Sequence, residues 1–143
     1  VSAPHLARER GIEVAGRSST TAEEGFTSLV TLCFSTDEGQ TLLSGTVLGD
    51  THPRIFTVDG FDTEIEPEGH MLILYTPDQP GVVGQVGDAL GRAGINIAQM
   101  TFGRKEAGGD ALVALKLDSP CESDVLEQLR ALDVVKKAVQ ISL

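Results

Sequence analysis

The chain of 143 residues has no Trp, one Tyr and five Phe. Its core must therefore be aliphatic, built from Val, Leu, Ile and Ala. Basic side chains are also scarce. Eleven Lys and Arg stand against 21 Asp and Glu, a net charge of −10. Nucleic acid and anionic membrane each need a basic face, so neither is expected as a partner. There are only two cysteines, Cys33 and Cys121, far apart and with no His at ligand spacing. That pattern excludes a disulfide framework and a cysteine-based metal site. Two unframed thiols fit a reducing, cytoplasmic compartment. No apolar run reaches the ~18 residues of a membrane helix, and no secretory leader is expected. The first residue is Val rather than Met, so a piece of a longer chain is expected, with part of the function outside it.

What is present reads as globular: 41% hydrophobic and 22% charged residues. A chain of this length buries roughly 68–70% of its unfolded surface and needs no staples. The charge is uneven. Residues 1–69 carry 4 basic and 12 acidic side chains, and residues 70–143 carry 7 and 9. The patterning changes at the same place, which divides the chain into 1–69 and 70–143.

In the first part, Pro4 and Gly11 bracket a short helix. Ile12-Glu13-Val14 reads as a short strand, and residues 15–25 as a loop rich in Ser, Thr, Gly and Glu. Strand-like runs follow at 29–34, 41–48 and 55–58, with Cys33 expected in the core. Asp59-Gly60 is a strong hairpin signal, and residues 61–66 return as its partner. The expectation is an antiparallel meander short of covering helices, with one sheet face in need of a partner.

The second part opens with the apolar strand 71–75. Val82, Val83, Val86, Ala89, Leu90 and Ala93 form a helical stripe closed by Gly94. A strand over 95–102, a hairpin loop at 105–109 and a return strand at 110–117 follow. Ser119-Pro120-Cys121-Glu122 has capping-box spacing with Pro at the first helical position. Val125, Leu126, Leu129 and Leu132 stripe the second helix, and residues 134–143 close as a strand. The order is βαββαβ, a ferredoxin-like unit with both helices on one face of an antiparallel sheet. The fold class is thus α+β, with this unit preceded by a partial, mostly antiparallel β domain carrying one short helix. The sheet's other face is apolar enough to want a second sheet, a helix or a subunit. Gly81, Gly84, Gly87 and Gly91, placed inside the first helix, suggest close packing against a neighbouring helix.

Several uses of this scaffold fail on the residues. The central strands lack the aromatics and basic flanks of an RNA-binding sheet. The first loop, residues 76–81, has neither the cysteines of a metallochaperone nor a phosphate-holding Arg, and no GxGxxG exists. Asp78 remains beside the helix start, with Pro80-Gly81 after it, and Asn96 opens the next strand, expected next to that helix end. The N–H groups of Val82 and Val83 leave the helix N-terminus unpaired. A free amino acid fits this set: its carboxylate on the N–H groups, its ammonium on Asp78, and Asn96 on its backbone or side chain. Alternatively Asp78 is a simple N-cap and Asn96 a turn residue. His5, His52 and His70 show no pairing and read as surface residues.

Asp78-Gln79-Pro80-Gly81-Val82-Val83-Gly84, followed by Ala93-Gly94-Ile95-Asn96-Ile97-Ala98, resembles the ACT domain family over residues 70–143. Ser2-Ala3-Pro4, Glu9-Arg10-Gly11-Ile12 and the run from Gly45-Thr46-Val47 through Pro53-Arg54-Ile55 to Asp59-Gly60 extend the likeness. Together they are similar to the C-terminal regulatory region of the long-form D-3-phosphoglycerate dehydrogenase family, where a partial intervening (allosteric substrate-binding) domain precedes the ACT domain. The resemblance implies an N-terminal part outside this chain that uses NAD to oxidise 3-phosphoglycerate towards serine. It implies no catalytic residue and no metal here. It further implies a homodimer or higher homo-oligomer through the ACT domain, with a small amino acid, L-serine, at the interface. Asp78 and Asn96 match the effector positions, and Thr76 and Tyr75 lie on the flanking strand end. Arg54 is a candidate anion site, crowded by Glu64, Glu66 and Glu68. Two alternatives stand beside this reading: a purely structural oligomerisation module, and an amino-acid sensor attached to another metabolic enzyme.

Overall fold

A computed structural model describes residues 3–18, 28–37, 39–49 and 51–143. After helix α1 (Ala3–Glu9) come strands β1 (Val30–Thr36), β2 (Gly39–Leu48), β3 (His52–Val58) and β4 (Phe61–Ile65). They form one antiparallel sheet in sequence order. Then follow β5 (His70–Pro77), α2 (Val82–Arg92), β6 (Ile97–Arg104), β7 (Asp110–Leu117), α3 (Ser123–Arg130) and β8 (Lys137–Ser142). Their sheet has the order β6-β7-β5-β8, all antiparallel. The α+β class, the meander and the βαββαβ order are as the sequence predicts.

Local chemistry accounts for the turns. Asp59 and Gly60 adopt φ of 51° and 77°, the left-handed pair that a two-residue hairpin with the right twist requires. The Asp59 carboxylate adds two ties. Oδ1 accepts the Leu42 N–H at 2.8 Å and Oδ2 accepts the Tyr75 hydroxyl at 2.6 Å. Helix α2 ends in a Schellman motif. Gly94, at φ 70°, donates to the Gly91 carbonyl at 3.0 Å and Ile95 to that of Leu90 at 2.9 Å. Ile95 and Leu90 are both buried in the same core.

The second sheet is apolar on both faces. Leu72, Leu74, Val113 and Leu115 pack against Val82, Val86 and Leu90 of α2 and Val125 and Leu129 of α3. On the opposite face, Met71, Ile73, Leu112 and Ala114 meet Val58, Phe61 and Ile65 of the meander. The cover that the sequence demands for that face is therefore a second sheet of the same chain. The sheets come close at Gly103, where a Cβ would stand 2.1 Å from the Asp62 carbonyl oxygen. Two residues earlier on β6, the Thr101 hydroxyl donates to the Glu64 carbonyl at 3.0 Å.

Four local expectations are corrected, and one lies partly outside the described residues. Residues 12–14 form no strand, and Ile12 and Val14 are exposed, with no strand among the described residues pairing them. Cys33 is exposed rather than core, because β1 lies at the sheet edge, beyond the cover that the second sheet gives β4. Of the predicted loop 15–25, residues 19–25 lie outside the described residues. The capping box does not form. Helix α3 starts at Ser123 after Glu122, without a side-chain cap. The Gln140 side chain instead clamps Cys121, accepting its N–H at 2.6 Å and donating to its carbonyl at 3.1 Å. That bidentate clamp and the burial of Cys121 in the core hold the segment off the helix. Finally, within this chain no helix among the described residues packs on Gly84, Gly87 or Gly91, whose Cβ positions meet open space.

The meander projects past the sheet that covers it. Val30, Leu32 and Val47 are exposed and line an apolar groove of about 290 Å³ with Leu43, Pro53 and Ile55. Gly103→Ala forces the two sheets apart and should destabilise the chain by about 1–3 kcal/mol. Urea unfolding of the variant against the parent measures this; equal midpoints and slopes would show that the sheets do not meet there.

Candidate functional site

The β5–α2 loop, residues 78–81, is shaped by Pro80 and by Gly81 at φ 92°. Gly81 is the N-cap of α2, so the helix starts without a side-chain cap. Its first N–H groups, including those of Val82 and Val83, have no acceptor within the helix, and the positive end of the helix dipole adds to their field. The Val82 side chain is core, while that of Val83 is exposed.

Asp78 is not the cap. Its carboxylate turns to the β6–β7 hairpin, where Oδ2 accepts the Arg104 Nη1 and the Gly108 N–H, both at 3.0 Å. Its own N–H donates to the Gly109 carbonyl at 2.8 Å. The Gly108 hydrogen bond first, and then Arg104, hold the Asp78 carboxyl below its usual range. Thr76 is fully buried on the helix side of β5, and its Oγ1 has no hydrogen-bond partner among the described residues. Tyr75 points the other way, its hydroxyl on Asp59 and Lys137 Nζ 5.6 Å from its ring centroid. Burial and the Asp59 carboxylate push its phenol well above the usual range.

Asn96 does not join this group within one chain. Pro77 pairs with Asp110 at one end of β7, and Ile97 with Leu117 at the other. That is a separation of roughly 23 Å at strand rise. The expectation that Asn96 neighbours the Asp78 end of the helix is thus corrected: α2 carries the chain the length of the sheet before β6 begins. At its own end, Asn96 Nδ2 donates to Asp118 Oδ2 at 2.7 Å, and the Asn96 carbonyl accepts the Asp118 N–H at 3.1 Å. Thr76, Asp78, Val82 and Val83 share one end of the sheet; Asn96 sits at the other, and Tyr75 on the far face.

Arg54 is already compensated. Its guanidinium meets Glu66 at 3.0 Å and Glu64 at 3.7 Å. Lys116 bonds Glu66 at 3.1 Å and also pairs with Glu68. Lys116 foremost, with Arg54, lowers the Glu66 carboxyl against a smaller desolvation effect. Two of the three histidines have local partners: His5 lies 3.4 Å from Glu9, and His70 Nδ1 is 3.0 Å from Ser142 Oγ. Sequence reasoning missed Arg104, Gly108, Asp118 and Asp59, the groups that hold the predicted residues. The available signal was a cation immediately before the Gly-containing hairpin loop.

Residues 70–134 match the ACT domain family, and residues 1–59 match the D-3-phosphoglycerate dehydrogenase intervening domain. The two matches together take in most of the chain. It is 34% identical over its whole length to a D-3-phosphoglycerate dehydrogenase of Methanocaldococcus jannaschii and 36% identical to one of Archaeoglobus fulgidus, covering 27% of each relative. A Bacillus subtilis D-3-phosphoglycerate dehydrogenase is 33% identical over 90% of the chain and 24% of that relative. The chain therefore spans about a quarter of the length of the curated relatives it matches. The region that matches the ACT domain carries the Asp78 loop. Among the described residues, no helix is long and apolar enough to cross a membrane, and no group of three or more His, Cys, Asp or Glu is placed to hold a metal ion.

The Asp78 latch has a pH signature. A carboxyl whose folded pKa lies below its unfolded value stabilises fully above the unfolded pKa, about 3.9, and loses that contribution as pH falls through the lower folded value. Asp78→Asn should therefore be less stable than the parent at neutral pH. The gap should close as pH drops below about 4. Urea unfolding between pH 7 and pH 2 reads this directly, and a pH-independent gap would remove the latch as its cause.

Proposed function

We propose that this chain is the regulatory and assembly region of a D-3-phosphoglycerate dehydrogenase in L-serine biosynthesis. In this reading, L-serine binds between two ACT copies and controls a catalytic part outside this chain, where NAD and 3-phosphoglycerate react. A cytoplasmic setting goes with it. The observation that carries the reading is the Asp78 carboxylate beside the uncapped start of α2. A ligand carboxylate would take the N–H groups of Val82 and Val83, and its ammonium would face Asp78. The orphaned Thr76 hydroxyl lies at the same end of the sheet. Asn96, too distant to serve the site of its own chain, would come from the second copy. The exposed Val83, Met100 and Phe102 give a second copy apolar surface to cover, and β6 is an edge strand.

A purely structural module is the second reading, favoured by the Arg104 guanidinium that already occupies Asp78. Calorimetric titration with L-serine, using glycine and L-alanine as controls, separates the two. Saturable heat near one serine per chain, or one per two chains, supports effector binding. At about 1 kcal/mol per ligand heavy atom, the Kd should be roughly micromolar to tens of micromolar. Asp78→Ala should abolish the heat with the circular dichroism spectrum unchanged; undiminished affinity removes Asp78 from the site. Heat absent up to millimolar serine leaves the assembly module. Both readings require self-association, and sedimentation of a dilute sample as a monomer would count against both.

A further inference from the structure

Arg104 is the residue for which the proposed site has no use. A ligand ammonium needs the Asp78 carboxylate, yet Arg104 Nη1 is already bonded to Asp78 Oδ2 at 3.0 Å. The two donors on that oxygen differ in kind. The Gly108 N–H is backbone, held by the hairpin through the Asp78 N–H to Gly109 bond. Arg104 reaches it with a long side chain that stays 58% exposed, while Asp78 is only 17% exposed. The guanidinium thus lies on the solvent side of a mostly covered carboxylate. An exposed ion pair of this kind is weak, and it can open without disturbing the hairpin's backbone.

We infer that Arg104 is a tethered competitor for the effector ammonium, occupying Asp78 in the empty site and leaving it when an amino acid binds. The inference rests on the effector reading of Asp78 given above. It explains how a carboxylate can be kept paired in the absence of ligand yet remain available. It also gives the site a route to the meander. The neighbours of Arg104 on both sides touch it: Gly103 abuts the Asp62 carbonyl, and Lys105 Nζ lies 4.5 Å from the Phe61 ring centroid. Arg104 thus sits on β6 between two residues at which the sheets meet.

The test compares L-serine binding by calorimetry in the 143-residue chain, in Arg104→Gln and in Arg104→Lys. Removing a charged competitor should tighten binding by up to about fivefold in Arg104→Gln, the range of an exposed ion pair. Arg104→Lys, which keeps the charge, should bind like the parent. A second readout needs no ligand: in Arg104→Gln the Asp78 carboxyl, followed by carbon-detected NMR, should titrate at higher pH than in the parent. Weaker serine binding in Arg104→Gln would make Arg104 a ligand contact and overturn the inference, as would an unchanged affinity. Both leave the effector reading standing. Absence of serine binding in all three chains overturns that reading and this one with it, whatever the NMR titration shows.

Discussion

Strands β5 and β7 are apolar on both faces, and the rest of the molecule is arranged to cover them twice. One face takes α2 and α3, as the helical stripes require. The other takes β3 and β4 through Val58, Phe61 and Ile65. Neither sheet has a complete core of its own there. At about 25 cal/mol per Å² of apolar surface, leaving Met71, Ile73, Leu112 and Ala114 in water would cost several kcal/mol. The two parts of the chain are therefore thermodynamically joined, although the family matches and the charge pattern separate them.

Polar contacts are laid along the same seam. Tyr75 ties β5 to Asp59, Thr101 ties β6 to Glu64, and Lys116 ties β7 to Glu66 and Glu68. The acidic surplus of residues 1–69 thereby meets the cation of β7, alongside Arg54 of its own sheet. One short stretch, Gly103-Arg104-Lys105, faces both ways: its ends touch the meander and its middle holds the β5–α2 loop through Asp78. A strand end shared by a loop and a neighbouring sheet ties the position of one to that of the other.

Much of the candidate site was legible because its residues are near in sequence. Thr76, Asp78, Val82 and Val83 fall on one strand end, one loop and one helix start, so local pattern places them together. The partners were not legible. Arg104 reaches Asp78, Asp118 reaches Asn96, and Gln140 displaces the expected cap at Cys121. Each depends on register between strands distant in the chain, which no local periodicity encodes. Asn96 was misplaced for a related reason: spacing says that a helix intervenes, and only the sheet direction says that it spans the sheet's full length.

What the sequence by itself determined are the features set by nearest neighbours. These are the Asp59-Gly60 hairpin, the Schellman end of α2, the two apolar stripes and the βαββαβ order, all governed by backbone preference and burial period. Tertiary structure alone decided which surface covers which. It left Cys33 exposed, because β1 lies outside the shared core. It required glycine at 103, because the Asp62 carbonyl comes too close for a Cβ. It engaged Asp78 with a hairpin rather than a helix cap. The reason is common to all three: they follow from the docking of one sheet or hairpin on another, and that docking is fixed by apolar area and strand register summed over the whole chain.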